Sequence, residues 1–186
     1  MKRSDLERIV RAAAGVTTKA KKGLLIVGSQ SVLGTFPDRL LPPEAIRSME
    51  ADVLALNDDR PITVDSEATD LVDGAIGEDS RFHREFGVYA QGVGLELTLL
   101  PKGWEDRLVL LKTPATKPGR ALCLEPHDCV LSKMVAGRDK DYAFATALLR
   151  AGLVQPAILE ARIEDLPVEE FVKHRIREWL RGDRPA

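Results

Sequence analysis

The sequence feature that most constrains the fold is a short apolar run that ends in a Gly-Ser turn. Leu24 to Val27 is continuously apolar, which is typical of a strand buried on both faces. Gly28 and Ser29 follow it directly. Glycine adopts backbone conformations that other residues avoid, so such a turn lets backbone N–H groups and a hydroxyl approach an anion. The sequence therefore predicts a buried strand with an anion-binding turn at its end.

A second apolar segment carries two carboxylates. The pattern from Met49 to Leu56 indicates a strand, on which Glu50 and Asp52 point to the same face because they are two residues apart. A solvated face of an edge strand is the alternative, but it would also expose Leu54. Carboxylate oxygens are the ligands that Mg²⁺ prefers, so this pair is a candidate metal site.

The remaining pattern predicts an α+β fold, with a mixed sheet flanked by helices and a helical C-terminal third. Helices are predicted at 4–14 with Ser4 as the N-cap, at 68–75, at 126–136, at 139–150 and from Pro167 onward. Residues 89–100 are predicted as a strand or as a hairpin broken at Gly92 or Gly94, residues 108–111 as a further strand, and residues 57–61 as a loop. We divide the chain into an α/β core of residues 1–123 and a helical region of residues 124–186 packed on that core.

Length and charge narrow the class of protein. A chain of 186 residues fits one domain, and a formal net charge of −2 means that nucleic-acid contact would need a local basic patch. No apolar run approaches the ~20 residues that span a bilayer, and the N-terminus lacks an apolar signal core. Two cysteines do not make a disulfide framework. We expect a cytoplasmic protein with no membrane segment.

The Gly-Ser turn and the paired carboxylates on the next strand together resemble the signature of the nucleotidyltransferase (DNA polymerase beta-like) superfamily. Two segments resemble one bacterial branch of this superfamily. The first is 124–141, which runs from Leu124 through Lys133 to Asp141. The second is the block that contains Phe82-His83, Phe86-Gly87 and Leu100 to Leu108. That branch is related to the abortive-infection (AbiEii-type) toxins of type IV toxin–antitoxin systems. The resemblance covers about residues 20–155.

This resemblance implies a nucleotide site. Gly28 and Ser29 would hold the β- and γ-phosphates of a nucleoside triphosphate (NTP). The cations that would meet the triphosphate, and the acid that would orient one of them, are Lys133, Arg138, Lys140 and Asp141. The alternative for this block is ordinary helix capping by Asp139, with the cations in water.

The resemblance also implies a Mg²⁺ site with three carboxylates. Glu50 and Asp52 would bind one or two Mg²⁺ ions together with a carboxylate on a later strand. Glu96 is our candidate for that ligand, and it could also act as the general base for the attacking hydroxyl. Glu105 and Asp106 compete for the third position, which the spacing does not fix.

The function implied is Mg²⁺-dependent transfer of a nucleoside monophosphate from an NTP to a hydroxyl of RNA or protein. Kinship with the toxins implies a tRNA 3′ end or a tyrosine of a partner antitoxin as the acceptor. A catalytically degenerate protein of the same fold, which binds nucleotide or a partner, is the alternative. Glu50 stands where the superfamily usually has aspartate, and the connection from Ser29 to Glu50 is longer than usual.

Three other sequence features suggest further hypotheses. Cys123, His127 and Cys129 give only three ligands, which disfavours a structural zinc site. A basic run before the first strand is either solvated or faces RNA: Lys19, Lys21 and Lys22. The basic residues of the last helix suit nucleic acid: Lys173, His174, Arg175, Arg177 and Arg181. Its apolar stripe more plainly indicates packing on the domain or on a second copy in a homodimer.

Overall fold

A mixed sheet of six strands lies at the centre of the structure, a computed structural model that describes residues 1–18 and 22–182. The strands are β1 (Leu24–Val27), β2 (Glu50–Asp59), β3 (Ile62–Val64), β4 (Tyr89–Gly92), β5 (Val109–Leu111) and β6 (Ala121–Cys123). The α-helices of the described residues are α1 (Arg3–Val16), α2 (Ser66–Ile76), α3 (Arg81–Phe86), α4 (Pro126–Ala136), α5 (Asp139–Arg150), α6 (Pro156–Ile163) and α7 (Glu170–Arg181).

Strand pairing gathers four chain segments at one edge of the sheet. The order is β3-β2-β1-β6-β5, and β4 also pairs with β2. β1 is antiparallel to β2 and parallel to β6, whereas β4 is parallel to β2. The C-terminal ends of β1 and β6 therefore lie beside the N-terminal ends of β2 and β4. We name this the glycine edge, because Gly28 follows β1 there.

The central strand is the most deeply buried part of the sheet. All four residues from Leu24 to Val27 are at most 2% exposed, as predicted for a strand buried on both faces. Helix α1 packs on α2, which in turn covers β2 and β4, while α4 packs on α5, α6 and the 3₁₀-helix Ser29–Gly34. A continuous hydrophobic core joins the sheet to α4, α5 and α7. These contacts hold α4 and α5 against the sheet.

The predicted α+β class is confirmed, and so are the long amphipathic helices. Helix α5 has the predicted bounds of Asp139 to Arg150, and α4 begins at Pro126 and ends before Gly137, which has a positive φ of 65°. The described helices include none that is long and apolar enough to cross a membrane. Two lysines of the basic run, Lys19 and Lys21, lie outside the described residues.

Several predicted boundaries were wrong. The segment 89–100 is a strand only as far as Gly92, one of the two break points considered, and beyond Gly94 the 3₁₀-helix Leu95–Leu97 stands in place of a second hairpin strand. The predicted loop at 57–61 is instead the end of β2 and its turn into β3. Glycines end the strand β4. Cross-strand pairing with β3 extends β2 beyond its predicted end, and the local pattern does not reveal that pairing.

Two helix starts also differ from prediction. Helix α1 begins at Arg3 rather than after Ser4, because the carboxylate of Asp5 accepts the Lys2 N–H at 2.8 Å. Helix α7 begins at Glu170, with Glu169 as the N-cap, so Pro167 lies in the preceding turn. Both differences are local and leave the core unchanged.

Most basic side chains of the last helix make hydrogen bonds or ion pairs within the chain. The Arg175 guanidinium donates to the Met134 and Val135 carbonyls, each at 3.0 Å. Arg177 makes ion pairs with Glu160, Glu164 and Glu170. The apolar stripe of α7 buries Ile176 and Trp179 against the domain. These contacts favour packing over nucleic-acid binding for this helix.

Candidate functional site

At the glycine edge, Gly28 and Asp52 are in direct contact. The antiparallel register pairs Val27 with Asp52, so the residue after β1 lies beside the Asp52 side chain. Gly28 has φ 67° and ψ −169°, a backbone conformation available almost only to glycine. A Cβ at Gly28 would lie 1.9 Å from Asp52 Oδ2. The predicted Gly turn therefore exists, and the glycine makes room for the carboxylate.

The two carboxylates of β2 share one face with residues of β4. The parallel register pairs Glu50 with Tyr89 and Asp52 with Gln91, and paired residues of neighbouring strands point to the same side. The Tyr89 hydroxyl donates to Glu50 Oε2 at 3.2 Å. Burial, followed by the charge of Glu50, raises the pKa of Tyr89 to about 12, which keeps the phenol protonated as a donor.

Opposing effects act on the pKa of Asp52. Burial raises the pKa of Asp52, and the negative charge of Glu50 raises it further. The positive charges of Lys133, Lys140 and Arg138 act in the opposite direction. The net shift is upward, because burial of the carboxyl outweighs the attraction of these cations.

Two helices bring the cations to this edge. β6 ends beside β1, with the Leu124 N–H donating to the Ile26 carbonyl at 3.2 Å, so α4 starts at the glycine edge. Lys133 Nζ lies 3.6 Å from Asp141 Oδ1. Asp141 is 2% exposed, and its other oxygen accepts the Arg138 backbone N–H at 3.3 Å.

Asp141 therefore has two functions at once. It caps the N-terminus of α5, and it holds Lys133 of α4 in place. The left-handed Gly137 permits the sharp turn that sets the two helices against each other. The residue expected to cap this helix, Asp139, is instead its first residue, and Asp141 makes the capping contact. That Asp141 orients a cation that binds triphosphate stays a prediction, with which its ion pair to Lys133 is consistent.

These residues line two adjoining cavities. The first, of about 220 Å³, is the carboxylate cavity, and its polar lining comprises Glu50, Asp52, Thr98, Cys129, Ser132, Lys133, Arg138, Lys140 and Asp141 together with Gly28. The second, of about 250 Å³, is the serine cavity, lined by Ser29, Glu44, Arg47 and Ser48, and it shares Glu50, Lys133, Lys140 and Asp141 with the first. The two form one cleft at the glycine edge.

Glu96 is not brought into this cleft. It is exposed on the 3₁₀-helix Leu95–Leu97, and its carboxylate folds over Gly94. Glu105 and Asp106 are likewise exposed, on the 3₁₀-helix Trp104–Arg107. Among residues 1–18 and 22–182, no group of three or more His, Cys, Asp or Glu side chains could hold a metal ion. A third carboxylate ligand, with Glu96 as its candidate, stays a prediction.

The positions of Tyr89 and Gln91 beside the two carboxylates were not predicted. Both lie in the segment that was predicted to be a strand, but their pairing with Glu50 and Asp52 depends on the register between β2 and β4. A polar residue at every second position of that strand was the available signal.

His127 and Cys129, which were considered as zinc ligands, have other partners. His127 Nε2 accepts the Gln155 N–H at 2.9 Å, which leaves Nδ1 to donate to Glu125 Oε1 at 2.6 Å. The Cys129 thiol donates to the Gly28 carbonyl at 3.2 Å, and burial raises its pKa to about 11. Cys129 thus supports the backbone of the glycine turn.

A buried ionic network anchors the helix that carries Lys133. Asp128 is fully buried and accepts from Arg107 at 2.8 and 3.2 Å and from Arg162 at 2.9 Å. Arg162 also pairs with Glu125, the N-cap of α4. Because every charge in this network has a partner, burial is compensated and the start of α4 is fixed.

Comparison with known families decides the class. The family model described as "Nucleotidyltransferase of unknown function (DUF6036)" matches residues 4–176. The chain belongs to this family. It matches no curated protein and no solved structure. Membership supports nucleotidyltransferase activity in general, and with it a nucleotide substrate. The finer assignment to the branch of AbiEii-type toxins is not tested by this match.

Proposed function

We propose that this protein transfers a nucleoside monophosphate from an NTP to a hydroxyl of RNA or protein, with Mg²⁺ as its cofactor. One observation carries the proposal: the Asp52 carboxylate lies against Gly28 and beside Glu50, and it faces cations from two helices across a single cavity. Family membership supplies the reaction class. The cleft supplies chemically suitable residues for it.

The donor set fits Mg²⁺. This ion is commonly held by one or two carboxylates together with substrate phosphates, and Glu50 and Asp52 are such a pair. Burial raises the pKa of Asp52, and a bound cation would offset that effect by stabilising the charged form of the carboxyl. In such sites Mg²⁺ neutralises charge on the phosphates and helps to align the reacting groups.

The cations of α4 and α5 are placed to bind the triphosphate. Lys133, which Asp141 orients, and Lys140 line both cavities, so they are accessible from either part of the cleft. In the proposed reaction the acceptor oxygen forms a bond to the α-phosphorus and the bond to pyrophosphate breaks. Lys133 and Lys140 offset the negative charge on the leaving pyrophosphate.

One observation favours the degenerate protein as a second candidate. Gln91, an amide, occupies the position beside Asp52 on the neighbouring strand and adds no third carboxylate there. Metal binding would then depend on Glu50 and Asp52 alone. In that case the cleft binds nucleotide and the function is carried by association with a partner.

The toxin role is a narrower form of the same proposal. The resemblance of segment 124–141 to the AbiEii-type branch supports it, and it would make a tRNA 3′ end or a tyrosine of a partner antitoxin the acceptor. The Lys133 to Asp141 part of that segment lines the cleft, which is what a role in nucleotide binding requires.

Binding and turnover should be measured on the same preparation. Each of the four common NTPs is titrated into the protein with and without Mg²⁺, and pyrophosphate release is followed after a hydroxyl-bearing acceptor mixture of total RNA and protein is added. Saturable binding with pyrophosphate release supports the enzyme. Binding without release supports the degenerate protein, and the absence of both contradicts the proposed site.

A further inference from the structure

A groove along the outer face of α5 is not accounted for by the nucleotide cleft. It has a volume of about 710 Å³ and lies between α5, the chain near Pro42 and Trp179 of α7. Its α5 side is formed by Asp139, Tyr142, Ala143, Thr146, Ala147, Arg150 and Ala151. We name it the α5 groove.

The α5 groove opens into the nucleotide cleft. Glu44 and Ala143 line both the groove and the serine cavity, so the two spaces share a boundary. From Asp139 to Ala151 the helix advances about 18 Å at ~1.5 Å per residue. That length matches about five residues of extended polypeptide at ~3.3 Å each. A chain lying in the groove would therefore enter the cleft at one end.

The charges that line the groove disfavour a polynucleotide. Two carboxylates, Glu44 and Asp139, lie among its lining residues, and of the described residues that line it only Arg150 is cationic. Grooves that hold single-stranded nucleic acid follow the phosphates with positive charge and offer exposed aromatic faces. Trp179 is only 7% exposed, and its indole N–H donates to Thr146 at 3.4 Å. Trp179 is therefore a wall of the groove rather than a stacking platform. Tyr142, the second aromatic residue of the lining, is half-buried, so the charges of the groove carry the argument against a polynucleotide.

We infer that the acceptor is a polypeptide, bound in extended form along the α5 groove with a side-chain hydroxyl reaching into the cleft. This inference rests on the proposed transferase function. The alanines leave room for side chains, and the carboxylates near the cleft suit a basic residue next to the acceptor hydroxyl. In the step itself, the hydroxyl oxygen bonds to the α-phosphorus of the NTP, pyrophosphate leaves, and the hydroxyl proton passes to water.

The test fills the groove without touching the cleft. Ala147 lines the α5 groove but neither cavity of the cleft, so Ala147→Trp should block the acceptor and spare NTP binding. Ala157 on α6 is exposed and lines none of these spaces, which makes Ala157→Trp the matched control. Thermal unfolding and NTP titration check that both variants are folded and bind nucleotide like the wild type.

Each protein is incubated with Mg²⁺ and α-³²P-labelled NTPs, with total soluble bacterial protein in one reaction and total bacterial RNA in another. We expect protease-sensitive label that falls at least about tenfold in Ala147→Trp and is unchanged in Ala157→Trp. Label on RNA alone would overturn the inference while leaving the proposed function intact, and so would protein label that Ala147→Trp does not reduce. Absence of label in every reaction would instead contradict the proposed function.

Discussion

Asp52 Oδ2 occupies the space that a side chain on Gly28 would need, since a Cβ there would lie 1.9 Å from that oxygen. Asp52 belongs to β2 and Gly28 follows β1, so the contact is made by the register of two antiparallel strands. The glycine thus sets where the carboxylate can be, and the carboxylate in turn requires the glycine. This reciprocal fit is the most specific feature of the candidate site.

Replacing Gly28 with alanine should therefore damage both the fold and the site. The backbone conformation alone costs about 1–3 kcal/mol for a non-glycine residue. Displacement of the Asp52 carboxylate should lower the transfer rate on the order of 100-fold, because small misplacements of reacting groups have effects of that size. Urea unfolding and labelled-nucleotide transfer measure the two effects.

The control for that variant is Gly74→Ala. Gly74 lies within α2, and a Cβ there would meet nothing within 4 Å. Alanine should raise the stability by about 0.5–1 kcal/mol through lower backbone entropy in the unfolded chain. Equal effects of the two substitutions would mean that the contact of Gly28 with Asp52 has no special role.

Tyr89→Phe tests whether the phenol positions Glu50. The variant removes a hydrogen bond of 3.2 Å to a carboxylate and keeps the ring. Hydrogen bonds to charged groups contribute about 1.5–3 kcal/mol, so we expect the transfer rate at fixed Mg²⁺ to fall by about 10- to 100-fold. Raising the Mg²⁺ concentration should restore part of the rate. If the Mg²⁺ dependence of Tyr89→Phe equals that of the wild type, Tyr89 does not position a metal ligand.

Lys133→Ala should weaken nucleotide binding. Lys133 faces Asp52 and Asp141, and it lowers the otherwise raised pKa of Asp52. Its loss removes one charge-assisted contact to the triphosphate, so the dissociation constant for NTP should rise by about 10- to 100-fold. Lys112→Ala, at an exposed lysine that lines neither cavity of the cleft, is the control and should bind like the wild type.

The network at the start of α4 predicts a pH-dependent stability. Burial opposes ionisation of Glu125, but hydrogen bonds from His127 and Arg162 outweigh it and lower the pKa of Glu125 to about 2, from an ordinary value of 4.5. A carboxyl with a lowered folded-state pKa stabilises the fold above its unfolded pKa. That stabilisation is lost as the pH falls through the range between these two values.

Glu125→Gln should consequently destabilise the protein at neutral pH and much less at low pH. Urea unfolding of wild type and variant at about pH 7, 4.5 and 3 gives the comparison. The difference in unfolding free energy should shrink as the pH falls. A difference that stays constant across this range would mean that the charge of Glu125 does not contribute to stability.

Local sequence patterns predicted the parts of the fold that local physics decides. The apolar run of β1 and the capped amphipathic pattern of α5 each determine their own element, and both were predicted with the observed bounds. Gly28, Glu50 and Asp52 were proposed as candidate site residues because a turn and an alternating strand are also local signals.

Local sequence patterns do not determine features that depend on strand register. The pairing of Tyr89 and Gln91 with the carboxylate strand is set by two segments that meet only in the folded chain. Glu96 was chosen because the segment 89–100 was predicted as a strand or as a hairpin broken at Gly92 or Gly94; the structure instead has Glu96 exposed on the 3₁₀-helix Leu95–Leu97.

If Asp52 supports nucleotidyl transfer, Asp52→Asn should remove the activity. The substitution keeps the size of the side chain and removes its charge, and Asp70→Asn, at an exposed aspartate of α2, is the matched control. The measurement is transfer of an α-³²P label from NTP in the presence of Mg²⁺, on variants whose thermal unfolding shows that they are folded. We expect Asp52→Asn to abolish transfer and Asp70→Asn to retain it. Undiminished transfer by folded Asp52→Asn would mean that Asp52 has no part in the reaction.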